Sequence, residues 1–99
     1  MKKVNVVFDE DYNDVDIILV PISISEEIEN YLQCFFDWAT AIPNREKYEI
    51  TDQFGKTVVS LGTFEFVNWL NEHVLVFPEY ATILEQHTEY LPDASVIEF

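Results

Sequence analysis

Between Val4 and Ile42 the apolar residues change their spacing, and that change most restricts what the chain can become. Val4, Val6 and Phe8 recur at every second position, and Val15 to Pro21 is a largely β-branched run. Ile24, Ile28, Tyr31, Leu32, Phe35, Ala39 and Ile42 recur at every third or fourth. The first spacing lines one face of a strand and the second lines one face of a helix. A chain with both buries the stripe of a helix against a sheet, which points to an α+β architecture.

The polar segment Asp9-Glu10-Asp11-Tyr12-Asn13-Asp14 separates the two strand-like runs and predicts a β-hairpin with an acidic tip. Ser23 and Glu26 have the spacing of a helix-capping box, with Ser25 as a competing cap, and Pro43 stops the helix near Ala41. Its polar face carries Glu29, Asn30, Gln33 and Asp37. Tyr48–Thr51 and Thr57–Leu61 flank Asp52-Gln53-Phe54-Gly55, a second hairpin in which Gly55 suits a left-handed position. Thr63 is the expected cap of a second helix, with Phe66, Val67, Trp69, Leu70, His73 and Val74 on its inner arc. Residues 74–77 fit a helix end or a short strand equally well. Pro78 suits the first turn of a third helix running to about His87, with Tyr80, Ile83 and Leu84 inward. Ser95–Phe99 reads as a last strand. The expected fold is one α+β domain over residues 1–99, with a mainly antiparallel sheet, three helices and the order ββαββααβ.

Nineteen Asp and Glu against five Lys and Arg leave a formal charge of −14. Acidic chains that are poor in aromatics stay disordered. This one is 48% hydrophobic and 15% aromatic, enough to build a core. The excess is no tail, since residues 1–50 and 51–99 each carry −7. Phosphate backbones and anionic membranes both require a basic footprint, so neither is an expected partner. A basic protein is. A single cysteine, Cys34, allows no intrachain disulfide. Asp9 interrupts the N-terminal segment before a signal-like apolar stretch can form, and no apolar run approaches the ~20 residues of a membrane span. The expected location is cytoplasmic.

The usual chemistries find little support. Asp9, Asp11 and Asn13 match the first ligand positions of a calcium-binding loop, but Asp14 stands where glycine is needed and Val20 where a bidentate glutamate is needed. His73 and His87 are fourteen residues apart, which is no local metal spacing, and both are expected to be structural. Cys34 falls toward the polar side of the first helix with no activating partner nearby in sequence. The two glycines, Gly55 and Gly62, cannot make a phosphate loop. Neither a cofactor nor catalysis is expected.

Binding is the better expectation. The densest charge is the hairpin tip, Asp9, Glu10, Asp11, Asp14 and Asp16, with Tyr12 as a possible anchor. Glu29 and Asp37 extend the candidate surface along the first helix. That helix alone is too sparse for a DNA mimic: Glu26, Glu29 and Asp37 span roughly 16 Å, a length on which one DNA strand places about five phosphates. The leading expectation is a small acidic inhibitor that occludes a basic, nucleic-acid-handling cleft, such as a cytoplasmic immunity protein against a nuclease-type bacterial toxin. The alternatives are a phage-type inhibitor or DNA mimic, and an acidic adaptor subunit.

Overall fold

The computed structural model of the protein describes residues 1–41 and 44–99, so Ile42 and Pro43, expected as the last stripe position and the helix stop, lie outside the described residues. The expected first hairpin is present as β1 (Lys2–Val7) and β2 (Val15–Val20), paired antiparallel from Lys2↔Val20 to Val6↔Asp16. Both strands are buried on two faces over Val4–Val7 and Val15–Ile18. A sheet buried on two faces needs a cover on each, and its two central strands need partners at both edges.

The edges are filled by residues 82–88 and 95–98. The expected third helix from Pro78 to His87 is not formed: Thr82–Thr88 is a strand pairing antiparallel with β2. Three apolar residues at helical spacing were a weak local signal, and the open hydrogen-bonding edge of a buried β2 outweighs it. With the short hairpin strands Glu49–Thr51 and Thr57–Val59 as β3 and β4, this strand is β5 and Ser95–Glu98 is β6. β6 lies parallel to β1, giving a four-stranded sheet in the order β5-β2-β1-β6. The whole is one α+β domain with a mostly antiparallel sheet, as expected, but with one helix fewer at its C-terminal end and one strand more.

One face of this sheet packs on helices. α1 (Ile22–Ser25) is a single turn, the chain bends through Glu26–Glu27, and α2 runs Ile28–Thr40. The expected capping box is absent, because the first helix begins after Pro21, one residue before Ser23. Ser25 instead turns its hydroxyl onto the carbonyl of Ile22 at 2.8 Å. The stripe itself holds: Ile24, Ile28, Leu32, Phe35 and Ala39 are buried against Val4, Val6, Ile18 and Val20. Phe35 is fully buried, its ring centroid 5.5 Å from Phe66 and 5.7 Å from Trp69.

Those two residues belong to α3 (Thr63–Trp69), which follows Gly62. Gly62, not Thr63, occupies the cap position, and Thr63 is already helical. The helix ends in a wider turn over Leu70–Val74, closed by the Leu75 N–H donating to the Leu70 carbonyl at 2.8 Å. An i→i+5 turn holds one residue more than an α-helical turn and carries His73 off the inner arc. His73 was expected in the core; its side chain is 43% exposed, with its ring 4.9 Å from that of Trp38. His73→Asp is therefore expected to cost less than about 1 kcal/mol in chemical denaturation, as surface changes usually do. A loss of several kcal/mol would put the ring back in the core.

The other face is covered by irregular chain. β5 and β6 both run parallel to β1, so residues 89–94 must recross the sheet to begin β6. They cross opposite the helices, where Tyr90 and Leu91 pack on Val7, Val15 and Ile17. Asn5, fully buried in β1, clamps the crossing. Its Oδ1 accepts from the Leu91 N–H and its Nδ2 donates to the Leu91 carbonyl, both at 2.9 Å. A buried amide satisfied on both sides is the kind of polar group a core retains.

Candidate functional site

The acidic tip is a tight turn over Phe8-Asp9-Glu10-Asp11, with the Asp11 N–H donating to the Phe8 carbonyl at 3.0 Å. Asp9 and Glu10 occupy its central positions at φ 52° and 59°. Two left-handed residues in sequence make a mirror-image turn that glycine and asparagine fill easily. A glutamate there costs about 1–2 kcal/mol. Asp11 then accepts from the Asn13 N–H at 3.0 Å, and Asp14 sits 2.9 Å from His87 Nδ1. The His87 side chain is 81% exposed, so this pair adds little stability. His87 was expected on the inward face of a helix; it stands instead in β5 at φ 53°.

Asp16 departs most from expectation. Its side chain points inward beneath the tip, and the residue is 8% exposed. Thr63 donates its hydroxyl to Asp16 Oδ2 at 2.5 Å, and the His87 N–H donates to Oδ1 at 3.2 Å. The second bond has a topological cause. Val15 pairs with Thr88 and Ile17 with Glu85, so Gln86 and His87 stand opposite Asp16 alone. That is a bulge, and the amide of its extra residue loses its ladder partner. Asp16 supplies one, and joins the start of α3 to the sheet at the same point. It is a structural pin and not part of the exposed charge.

Tyr12 leaves the other tip residues and reaches the far edge of the sheet. Its hydroxyl donates to Glu98 Oε1 at 2.5 Å, and its ring meets Tyr90 edge-on at 5.3 Å. The Glu98 carboxylate, first as hydrogen-bond acceptor, holds the Tyr12 phenol above the ordinary tyrosine range. Tyr12, Glu98 and Glu29 border one groove of about 460 Å³ between α2 and β6, floored by Leu32, Phe36 and Ile97. It runs on into a second recess of about 420 Å³ through Glu29 and Val96, where Glu26 and Glu27 stand at the rim.

The expected surface is thus divided. Asp9, Asp11 and Asp14 line a cavity of about 310 Å³ with His87, the buried Asp16 reaches its wall, and Glu10 is exposed beside it. Tyr12 and Glu29 belong to the β6 groove. Asp37 is exposed further along α2, accepting from Gln33 Nε2 at 3.0 Å. Glu26, Glu27 and Glu98 join the groove although sequence reasoning did not select them. No signal in the sequence says that 95–98 lies beside the helix, because strand order is not a local property.

Among the described residues a single ion pair involves Lys or Arg, Arg45 to Glu49 at 3.1 Å. No three of the described His, Cys, Asp or Glu side chains are placed to hold a metal ion, and no described helix is long and apolar enough to cross a membrane. Cys34 is exposed. With so little pairing, the acids repel each other in the folded state. Raising salt from 0.01 to 0.15 M shortens their reach from about 30 to about 8 Å. The melting temperature should rise over that range, by about 4–8 °C for each kcal/mol gained. A flat or falling curve would show that the charges are already compensated.

Compared with family models, with curated proteins and with solved structures, the chain matches none of them.

Proposed function

We propose that the protein works by binding, as a small acidic inhibitor that occludes the basic, nucleic-acid-handling cleft of another protein. The most specific form of this reading is a cytoplasmic immunity protein against a nuclease-type bacterial toxin. What carries it is the charge of −14, paired with Lys or Arg among the described residues only at Arg45–Glu49, and dense at the tip and along the α2–β6 groove. A cleft that holds phosphates is lined with Lys and Arg. An acidic blocker approaches it with electrostatic steering, up to about 10⁸–10⁹ M⁻¹s⁻¹ at low salt. Unpaired acids that cost folding stability are explained if their use lies in association.

The test is native capture from the source cell at low and high salt, followed by a nuclease assay of the captured protein. The expected result is a basic protein, released by salt, whose activity falls to nothing at one equivalent of inhibitor. Capture of a neutral or acidic protein, equally firm at both salt levels, would remove the reading.

A further inference from the structure

We propose that the outer edge of β6 is a docking strand, on which an extended Lys- or Arg-bearing segment of a partner protein adds as a fifth strand of the sheet. The inference rests on the basic partner argued above and identifies the surface that meets it.

Among the described residues, β6 is hydrogen-bonded as a strand on one side only, to β1. The Phe99 N–H donates to the Val7 carbonyl at 2.9 Å. Because backbone direction alternates along a strand, the amide and carbonyl of Ile97 also face β1. Those of Val96 and Glu98 therefore face outward. They offer two donors and two acceptors at the spacing an added strand requires.

The sheet's other edge is poorly suited to this. β5 is broken by two register shifts against β2, one at Gln86–His87 and one at Leu84, and bulges blunt an edge against pairing. The ladder of β6 with β1 is regular from Ser95 to Glu98. The regular edge is also the one that opens into the groove.

The side chains around that edge state what kind of strand fits. Successive residues of an added strand point alternately toward α2 and toward the Tyr12 side. On the α2 side they meet an apolar floor at Leu32 and Phe36 under an acidic rim of Glu26, Glu27 and Glu29. On the other side they meet Tyr12 and Glu98. Acids on both sides select long cationic side chains, whose methylene stems cover the floor while their heads reach the carboxylates. A second copy of this chain is disfavoured, because edge-to-edge pairing would bring Glu98 and Glu29 against their own duplicates.

The probe is a capped synthetic octapeptide of alternating Lys and Val, compared with a backbone-blocked version of the same peptide. An edge strand can turn proline nitrogens outward and still pair through its other residues. The comparison peptide is therefore the Lys–Val octapeptide N-methylated at every backbone amide, which carries the same charge but has no backbone N–H to donate in either register. Amide hydrogen exchange of the full chain is followed by NMR. The Lys–Val peptide should slow exchange at Val96 and Glu98 by at least tenfold and bind at least tenfold tighter than its N-methylated counterpart. Val96→Pro removes one outward donor at a position where an edge strand tolerates proline. It should abolish that preference while the amides of Val4–Val7 stay protected. If Val96→Pro does not fold, the triple change Glu26→Gln, Glu27→Gln, Glu29→Gln leaves the edge intact and should lower Lys–Val affinity at least fivefold. Equal binding of the two peptides overturns the proposal. So does protection at β5 or the tip instead, no protection at millimolar peptide, or a self-associating chain that protects the same amides without peptide.

Failure here and failure of the inhibitor reading look different. If Val96→Pro folds and still silences the captured nuclease at one equivalent, the docking strand is wrong and the inhibitor stands. Should the peptide protect β6 while no basic nucleic-acid-handling partner is inhibited, the strand stands and the inhibitor does not.

Discussion

Asp16→Ala is expected to cost about 3 kcal/mol of folding stability, measured by chemical denaturation. The change removes two hydrogen bonds to an anionic acceptor, each worth about 1.5–3 kcal/mol. It also leaves the His87 amide without a partner at the bulge. Domains of this size have roughly 5–15 kcal/mol in all, so the loss is a large fraction of the total. Asp16→Asn keeps the shape and one acceptor and should cost about half as much. Thr63→Val in the Asp16→Ala background should add little, because both changes break the same contact. A cost below about 1 kcal/mol for Asp16→Ala would show that the carboxylate contributes only exposed charge, as the sequence first suggested.

The second large effect concerns association. Replacing Asp9, Asp11 and Asp14 together by Asn removes three charges from the densest part of the surface. Asn is better suited than Asp to the left-handed position at 9, and it retains the acceptor that Asp11 offers to Asn13. The fold should therefore survive unchanged. Association with the captured partner should slow by about tenfold at low salt and lose much of its salt dependence. Tyr12→Ala should instead act on dissociation, since Tyr12 is joined to Glu98 and borders the β6 groove. The control is Glu79→Gln, Glu85→Gln, Glu89→Gln, three exposed acids outside the tip turn. An equal slowing in the control would mean that total charge, and not its placement, sets the rate.

The sequence was most legible where one pattern had no competitor. The stripe from Ile24 to Ala39 survives into the core, because apolar periodicity reports which face of a helix is buried. Val4 and Val6 are buried with it, but so are Asn5 and Val7 on the opposite face, which the alternation did not announce. Gly55 takes the left-handed conformation expected of it, at φ 80°. Errors arose where a distant contact decided. The expected helix from Pro78 rested on only three apolar positions, Tyr80, Ile83 and Leu84, and residues 82–88 are a strand because β2 needs a neighbour. His73 has the right spacing for the arc, but the widened turn at 70–74 moves it outward. Asp16 looked like one more surface acid, and nothing within ten residues of it announces Thr63. The tip acids were found as a cluster, whereas the groove was not, since it joins residues 12, 29 and 98.

The same long-range pairing governs how the protein comes to be folded. Val4 lies opposite Ser95 and Val7 opposite Glu98, so β6 docks only after a loop of about ninety residues has closed. Closure entropy grows slowly with length, but it must be met before the contact returns anything, and folds with such pairings form in milliseconds to seconds. Until then β1 has one partner instead of two, and the crossing at 89–94 is not anchored by β6 beyond it. A chain still emerging from the ribosome can hold its first hairpin and α2, but it has no groove. On the docking-strand proposal, the surface for the partner forms only once β6 has paired with β1, after the first hairpin and α2 are already in place.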